Sequence, residues 1–222
     1  MYKDKQFSKL DTMYSKHLYT GFVGTFMHYC HKNLERYNFD ENLPKILEIG
    51  PGTVPHAPYI KHSYEEYHIL ETSEYAIKEL KKQGYTKIKD YDGATIPYSD
   101  EFFDRIIMSH VLEHINNPHS FLLDLIKKLK IGGVLSISLP TDPGLLWRAS
   151  RQLIKVLSIH KDQNISNLEY DYINSIEHIN SIYNLRNIIK YHFSGNYQET
   201  FLPFRIRIPD FNLFYNVHIK KI

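Results

Sequence analysis

The sequence predicts an α/β fold: a doubly wound, mainly parallel seven-stranded sheet with an antiparallel C-terminal edge pair and an N-terminal helical cap. Three observations predict it. From Lys45 onward, short apolar runs alternate with segments of helical periodicity, the pattern of strand–helix–strand units. The first of these runs passes through Glu48 into two glycines one residue apart, Gly50 and Gly52, as a strand does when it ends in a tight turn. The last two runs follow each other with only a proline-containing link, which suits an antiparallel pair.

The elements follow in order. Residues 1–42 precede the first strong strand, and the stretch Leu18–Tyr29 is apolar and helix-like although Gly21 and Gly24 weaken it. This region reads as a cap of one or two helices, and 43–222 as the main domain. Strands are expected at 45–49, 66–71, 86–90, 104–109, 133–139, 196–202 and 211–219, with helices near 54–62, 73–83, 118–130, 144–158 and 180–191. The clearest helix is 118–130. Asn117 caps it, Pro118 suits its first position, and Phe121, Leu122, Leu125, Ile126 and Leu129 share one face. Lys127, Lys128 and Lys130 favour its C-terminal dipole, and Gly132 reads as its stop signal. The polar segment from His160 to Asn180 reads as a surface loop or a substrate lid, so a lid is placed within 143–180.

Composition narrows the function. With 42% hydrophobic residues in a chain of 222, a sizeable core is available. The formal charge of +2 gives no argument for nucleic acid or a membrane surface as partner. The single cysteine, Cys30, excludes an internal disulfide and any cysteine cluster for zinc or iron–sulfur, and reads as a small buried residue in a reducing, cytoplasmic setting. No apolar run approaches the roughly 20 residues of a membrane span, and the N-terminus lacks a signal-peptide core.

In open parallel sheets, ligands bind at the carboxyl ends of the strands. Four such ends carry suggestive residues. Gly50 and Gly52 let a ligand approach the main chain, while Glu48 disfavours a pyrophosphate and favours a cation. Glu71 ends the second strand, where an acid can accept both hydroxyls of a ribose. Asp92-Gly93-Ala94 follows the third, and Ser109-His110 with Glu113-His114 follows the fourth.

Taken in order, these residues resemble the class I S-adenosylmethionine-dependent methyltransferases. The matching blocks are Leu47-Glu48-Ile49-Gly50-Pro51-Gly52, then Glu71, then Asp92 to Tyr98, then Phe103 to His114, and last Leu129 to Leu135. The resemblance implies S-adenosyl-L-methionine as cofactor. It implies that Glu48 and the Gly50-Pro51-Gly52 turn hold the methionine part, Glu71 beside Thr72 the ribose, and Asp92 with Gly93 the adenine, with Ser109 at the fourth strand end. Two departures stand out: Val54 and Pro55 occupy the region of a frequent third glycine, and Glu71 replaces the commoner Asp.

A hydroxyl acceptor must lose a proton, for which a near-neutral histidine is suited. His178 is the first candidate, because related small-molecule methyltransferases often carry a stretch similar to Glu177-His178-Ile179-Asn180 after the fifth strand; His110 is the second. Asp142 and, from the cap, Tyr14, His17 and Tyr19 are candidate substrate contacts. Asp104 and His114 read as structural, Arg105, Lys127 and Lys128 as solvated, and no metal is expected, since no carboxylate cluster is visible. Pro55 and Glu48 argue against NAD chemistry, and Ser109-His110-Val111-Leu112 against adenine amino methylation. The leading expectation is O-methylation of a small-molecule acceptor: a polar metabolite such as a sugar, nucleotide-sugar or surface-glycan precursor. The alternatives are N-, RNA- or protein methylation, or a non-catalytic cofactor-binding scaffold.

Overall fold

A computed structural model of the chain describes residues 19–157 and 166–222. Its centre is a seven-stranded sheet of order β3-β2-β1-β4-β5-β7-β6. The strands are β1 (Lys45–Ile49), β2 (Glu66–Glu71), β3 (Lys87–Asp90), β4 (Phe103–Ser109), β5 (Leu129–Pro140), β6 (Tyr197–Leu202) and β7 (Phe214–Lys220). β1 to β5 pair in parallel, and β7 runs antiparallel to both β5 and β6. The expected topology and edge pair are therefore present. β1 lies between β2 and β4, so chain order reverses at β1 and leaves a crevice at the carboxyl ends of these two strands.

The helices are α1 (Gly21–Leu34), α2 (Glu74–Lys82), α3 (Pro118–Lys128), α4 (Leu145–Val156), α5 (Asn167–Glu177) and α6 (Ile182–His192). Three of the expected elements differ. A helix near 54–62 is reduced to a short 3-10 turn at Ala57–Tyr59, because Pro55 and Pro58 remove N–H donors and the His56 N–H is taken by Glu48. The stretch expected as loop or lid contains α5, begun by Ser166 and Glu169, each side chain bonding the other's backbone N–H. α3 ends at Lys128, and Leu129 already lies in β5, so Gly132 sits within that strand rather than stopping the helix.

Strand alternation gives the sheet two different faces. One is apolar. Leu47, Ile49, Ile106, Met108, Leu135 and Ile137 pack with Phe121 and Leu125 of α3 and with Leu185 and Ile189 of α6. The other is polar and still buried: Glu48, Arg105, Ser136, Ser138, Asn216 and His218. α1 covers part of this second face, with Met27 and Cys30 packed against Leu202 and Phe214.

The polar face is a connected network. Arg105, expected as a solvated charge, is 0% exposed. It donates to Glu35 at 2.6 Å, to Ser136 at 3.2 Å and to His62 at 3.0 Å, and lies over the Phe39 ring. His56 Nε2 donates to Glu35 at 2.8 Å. Its Nδ1 is thereby the acceptor for His31 Nδ1 at 2.7 Å, and His31 Nε2 accepts from the Tyr19 hydroxyl at 3.0 Å. Burial outweighs the nearby Glu35 carboxylate and keeps His31 and His56 below the ordinary imidazole range. Glu35 is also buried, but His56 and the Arg105 guanidinium more than offset that and bring it down to about 2. Among the described residues, no helix is long and apolar enough to cross a membrane.

Candidate active site

Each parallel strand delivers its final residues to one edge. After β1, Gly50 and Gly52 both hold φ of +59°, a conformation glycine adopts without a Cβ penalty. A Cβ on Gly50 would meet Val111 Cγ2 at 2.8 Å, whereas one on Gly52 would meet nothing within 4 Å. The backbone at Gly52 thus faces open space. Glu71, at the end of β2, bridges the first two loops: its carboxylate accepts from Gly52 N–H at 2.8 Å, Thr72 N–H at 2.7 Å and Ser73 N–H at 3.0 Å.

Glu48 is turned under this loop. It is 1% exposed and accepts from His56 N–H at 2.9 Å and from the Tyr67 hydroxyl at 2.6 Å. Burial pushes its carboxyl up to about 8 against those donors. The acid that was expected to favour a cation is therefore engaged in holding the turn. Asp92 is likewise committed to its own turn, accepting from the N–H groups of Ala94 at 2.9 Å and Thr95 at 2.7 Å, while Gly93 keeps a positive φ beside Thr72.

After β4 the chain turns sharply, with His110 at φ +56°. Here the buried polar atoms lose their partners. Among the described residues six buried side-chain polar atoms lack a hydrogen bond, and five belong to Ser109, His110, Glu113 and Trp147. Glu113 is 2% exposed with both oxygens unpartnered; His110 Nδ1 lies 3.7 Å away and His114 Nε2 3.8 Å. Burial opposes its ionisation, yet the imidazoles of His110, His114 and His178 outweigh that and hold it below the ordinary carboxylate range.

The fifth strand end completes the group. His178 caps α5 and donates Nδ1–H to Asp142 at 2.7 Å. Asp142, expected to touch substrate, is occupied by His178 and by Arg151 at 3.3 Å. Asn180 pins this stretch to the loop after β4 by donating to the Ile115 carbonyl at 2.7 Å. The Trp147 ring lies 6.2 Å from His178 and 6.1 Å from Phe214, and Phe214 meets the His110 ring at 5.5 Å. Glu113, His114 and His178 offer ligand atoms within 4.8 Å of one another, a grouping of one carboxylate and two imidazoles that the sequence did not display. Chain distance hid it, because His178 arrives from a different strand-end loop.

Of the cap candidates, Tyr19 packs near Met27, Cys30 and Phe214 and bonds His31; Tyr14 and His17 lie outside the described residues, as does 158–165 of the expected lid. Trp147 and Phe214 were not singled out from sequence, and only the apolar–aromatic run Leu145-Leu146-Trp147 after a proline hinted at one of them; Glu113 was noted beside His114 after the fourth strand but given no role. A separate groove of about 390 Å³, lined in part by Arg36, Arg205 and Arg207, contains none of the expected site residues.

A glycine cradle, a carboxylate at the second strand end and a crevice beside β1 define the class I S-adenosylmethionine-dependent methyltransferase fold. The comparisons agree. Residues 47–137 match the family model described as a methyltransferase domain, and all five resemblance blocks overlap or lie inside that span. The plantazolicin methyltransferase BpumL, in complex with a monoazolic desmethylPZN analogue and SAH, has a TM-score of 0.69 at 17% identity, covering 100% of this chain and 92% of that one. An S-adenosylmethionine-dependent methyltransferase from Mesorhizobium loti gives 0.60 at 16% identity, covering 90% and 100%. The CurJ carbon methyltransferase gives 0.63 at 16% identity, covering 96% and 59%. Comparison with curated proteins gave no match. The methyltransferase domain and the fold together support an S-adenosylmethionine-dependent methyltransferase, with S-adenosylmethionine as its cofactor.

The residues present fit that cofactor. Open space at Gly52, a buried carboxylate at Glu71 and unpartnered polar atoms at Ser109 and His110 line the crevice in chain order.

Proposed function

We propose that this protein is an S-adenosylmethionine-dependent O-methyltransferase acting on a small polar metabolite, of the class of a sugar, nucleotide-sugar or surface-glycan precursor. One observation carries the reading: five unpartnered buried polar atoms, on Ser109, His110, Glu113 and Trp147, sit at the fourth and fifth strand ends. Buried polar groups are nearly always hydrogen-bonded, so the site is built for a ligand that brings donors and acceptors of its own.

The cofactor supplies an electrophilic methyl group on a cationic sulfur. The chain does the rest. The Gly50–Gly52 backbone admits the methionine part, with Glu48 holding the turn from beneath through His56. Glu71, beside Thr72, accepts the ribose hydroxyls, and Asp92 and Gly93 border the adenine. Trp147 and Phe214 wall the acceptor pocket and keep water out. Holding the acceptor in line supplies much of the acceleration. His178, oriented by Asp142, and His110 are the groups that activate the hydroxyl.

The test is a screen of hydroxyl-bearing acceptors for conversion of S-adenosylmethionine to S-adenosylhomocysteine. Turnover with a sugar or nucleotide-sugar, abolished in His178→Ala with cofactor affinity retained, is the expected result. Turnover only on amines, RNA or protein would replace the acceptor class. Cofactor binding with no turnover on any acceptor would favour a scaffold.

A further inference from the structure

We propose that Glu113, His114 and His178 bind a divalent metal ion at the carboxyl edge of the sheet. The role given to the ion rests on the reading of this edge as the place where the acceptor is activated; the site itself rests on geometry.

The three ligand atoms lie within 4.8 Å of one another. An ion about 2.1 Å from each ligand sets their separations near 3.4 Å, so the group closes by up to about 1.4 Å when it fills. Side-chain torsions supply a movement of that size without moving the backbone.

The two imidazoles are already prepared for ligation. His178 Nδ1 donates to Asp142 at 2.7 Å, and His114 Nδ1 donates to the Glu177 carbonyl at 2.7 Å. Each ring therefore carries its proton on Nδ1 and its lone pair on Nε2. Such an outer hydrogen bond is what fixes the tautomer and orientation of a metal-bound histidine. His114 Nε2 stands 3.8 Å from Glu113 Oε1, beyond hydrogen-bond reach but suited to two ligands sharing an ion.

Glu113 gives the independent argument. Other buried carboxylates here have donors: Glu35 has Arg105 and His56, Glu48 has His56 N–H and Tyr67, and Glu71 has three backbone N–H groups. Glu113 has no hydrogen bond on either oxygen although it is 2% exposed; only the imidazoles of His110 and His114 approach it, at 3.7 and 3.8 Å, and both approach Oε1. A buried carboxylate is normally paired, hydrogen-bonded or metal-bound. Two imidazole nitrogens and one carboxylate favour a first-row transition ion over Mg²⁺ or Ca²⁺, which prefer all-oxygen shells. Three protein ligands leave a position open for an acceptor oxygen, whose hydroxyl proton the ion would acidify. In that arrangement His178 holds the ion rather than taking the proton itself, and the hydroxyl proton passes to His110, the other imidazole at this edge.

The experiment titrates Co²⁺, and then Zn²⁺ in competition, into chelator-treated full-length protein. Calorimetry and the visible bands of bound Co²⁺ are the readouts, and S-adenosylmethionine is titrated into the same samples. The expected result is one equivalent of Co²⁺ displaced by Zn²⁺, lost in Glu113→Gln and His178→Asn, and weakened about 10–100-fold in Asp142→Asn. His119→Ala, in the separate His119–His192 ring pair, should leave it unchanged. If Glu113→Gln fails to fold, His178→Asn and Asp142→Asn decide the matter. No Co²⁺ uptake, or uptake unaffected by these variants, overturns the site, even where the cofactor still binds. Metal uptake without cofactor uptake keeps the site and sinks the methyltransferase reading instead.

Discussion

His178 donates its Nδ1 proton to Asp142 across 2.7 Å, and the two residues stand 36 positions apart on the single connection from β5 to β6, which folds back on itself at the sheet edge. Asp142 follows β5, and His178 ends α5. A carboxylate behind an imidazole fixes which ring nitrogen carries the proton. Asp142→Asn should therefore lower turnover by about 100–10,000-fold, the range of a lost acid–base contribution. Cofactor affinity should stay the same. Steady-state kinetics with cofactor calorimetry checks both, and full activity in the variant would remove Asp142 as the positioning residue.

Glu71 joins the turn after β1 to the end of β2 through Gly52 N–H. Glu71→Ala should weaken S-adenosylmethionine binding by roughly 1–3 kcal/mol, the scale of hydrogen bonds to a charged group. Unchanged affinity by calorimetry would count against its place at the ribose.

Gly50 and Gly52 share a backbone conformation but not a neighbourhood. A methyl group on Gly50 meets Val111, and one on Gly52 projects into open space. Both alanine variants carry backbone strain of about 1–2 kcal/mol. Gly50→Ala should lose additional stability in chemical denaturation, whereas Gly52→Ala should show its larger effect on cofactor affinity. The reverse ranking would mean that the cradle lies elsewhere.

Glu48 should make stability depend on pH on the alkaline side. Burial raises its carboxyl to about 8 from an ordinary 4.5. The sign follows: its contribution is complete below 4.5 and lost as pH rises through 8. Glu48→Gln removes that decline, so the variant should gain relative to wild type between these limits. Melting curves across the range test it, and parallel curves would refute the raised value.

Acid acts on the other members of the same face. Burial brings His218 down to about 3 from 6.5, while Glu35 is brought down to about 2 by His56 and Arg105 against its own burial. Both contributions are present at neutral pH and fade as pH falls through those lowered values. His218→Gln should flatten the acid limb by up to about 1.4 kcal/mol per pH unit. Arg105→Met, which leaves the buried Glu35 without its cationic partner and with His56 as a neutral donor, should cost about 3–5 kcal/mol near neutrality, read by denaturant unfolding.

Much of this molecule is legible in its sequence, for local reasons. β1 and β2 fall where the apolar runs predict them, because each is a short, almost wholly buried run that closes on a glycine or an acid. The loops at Gly50–Gly52, Glu71, Asp92 and Ser109–His110 are readable for the same reason. α5 was missed because its polar face hides the period, although Ser166 and Glu169 stand at capping-box spacing. Arg105 defied its reading because β4 lies in the middle of the sheet and its second face is covered. Trp147, Phe214 and the Glu113–His178 relationship depend on distant segments meeting, which no window along the chain displays.

Glu35 at the end of α1 reaches Arg105 on β4, and His31 on the same helix reaches His56 after β1. A greasy contact would tolerate sliding of the helix by a turn. This one would not, since a displaced α1 would strand an acid, a guanidinium and two imidazoles without water. The helix is thus keyed to a single azimuth, and Phe214, packed between it and His110, passes that alignment on to the catalytic rim.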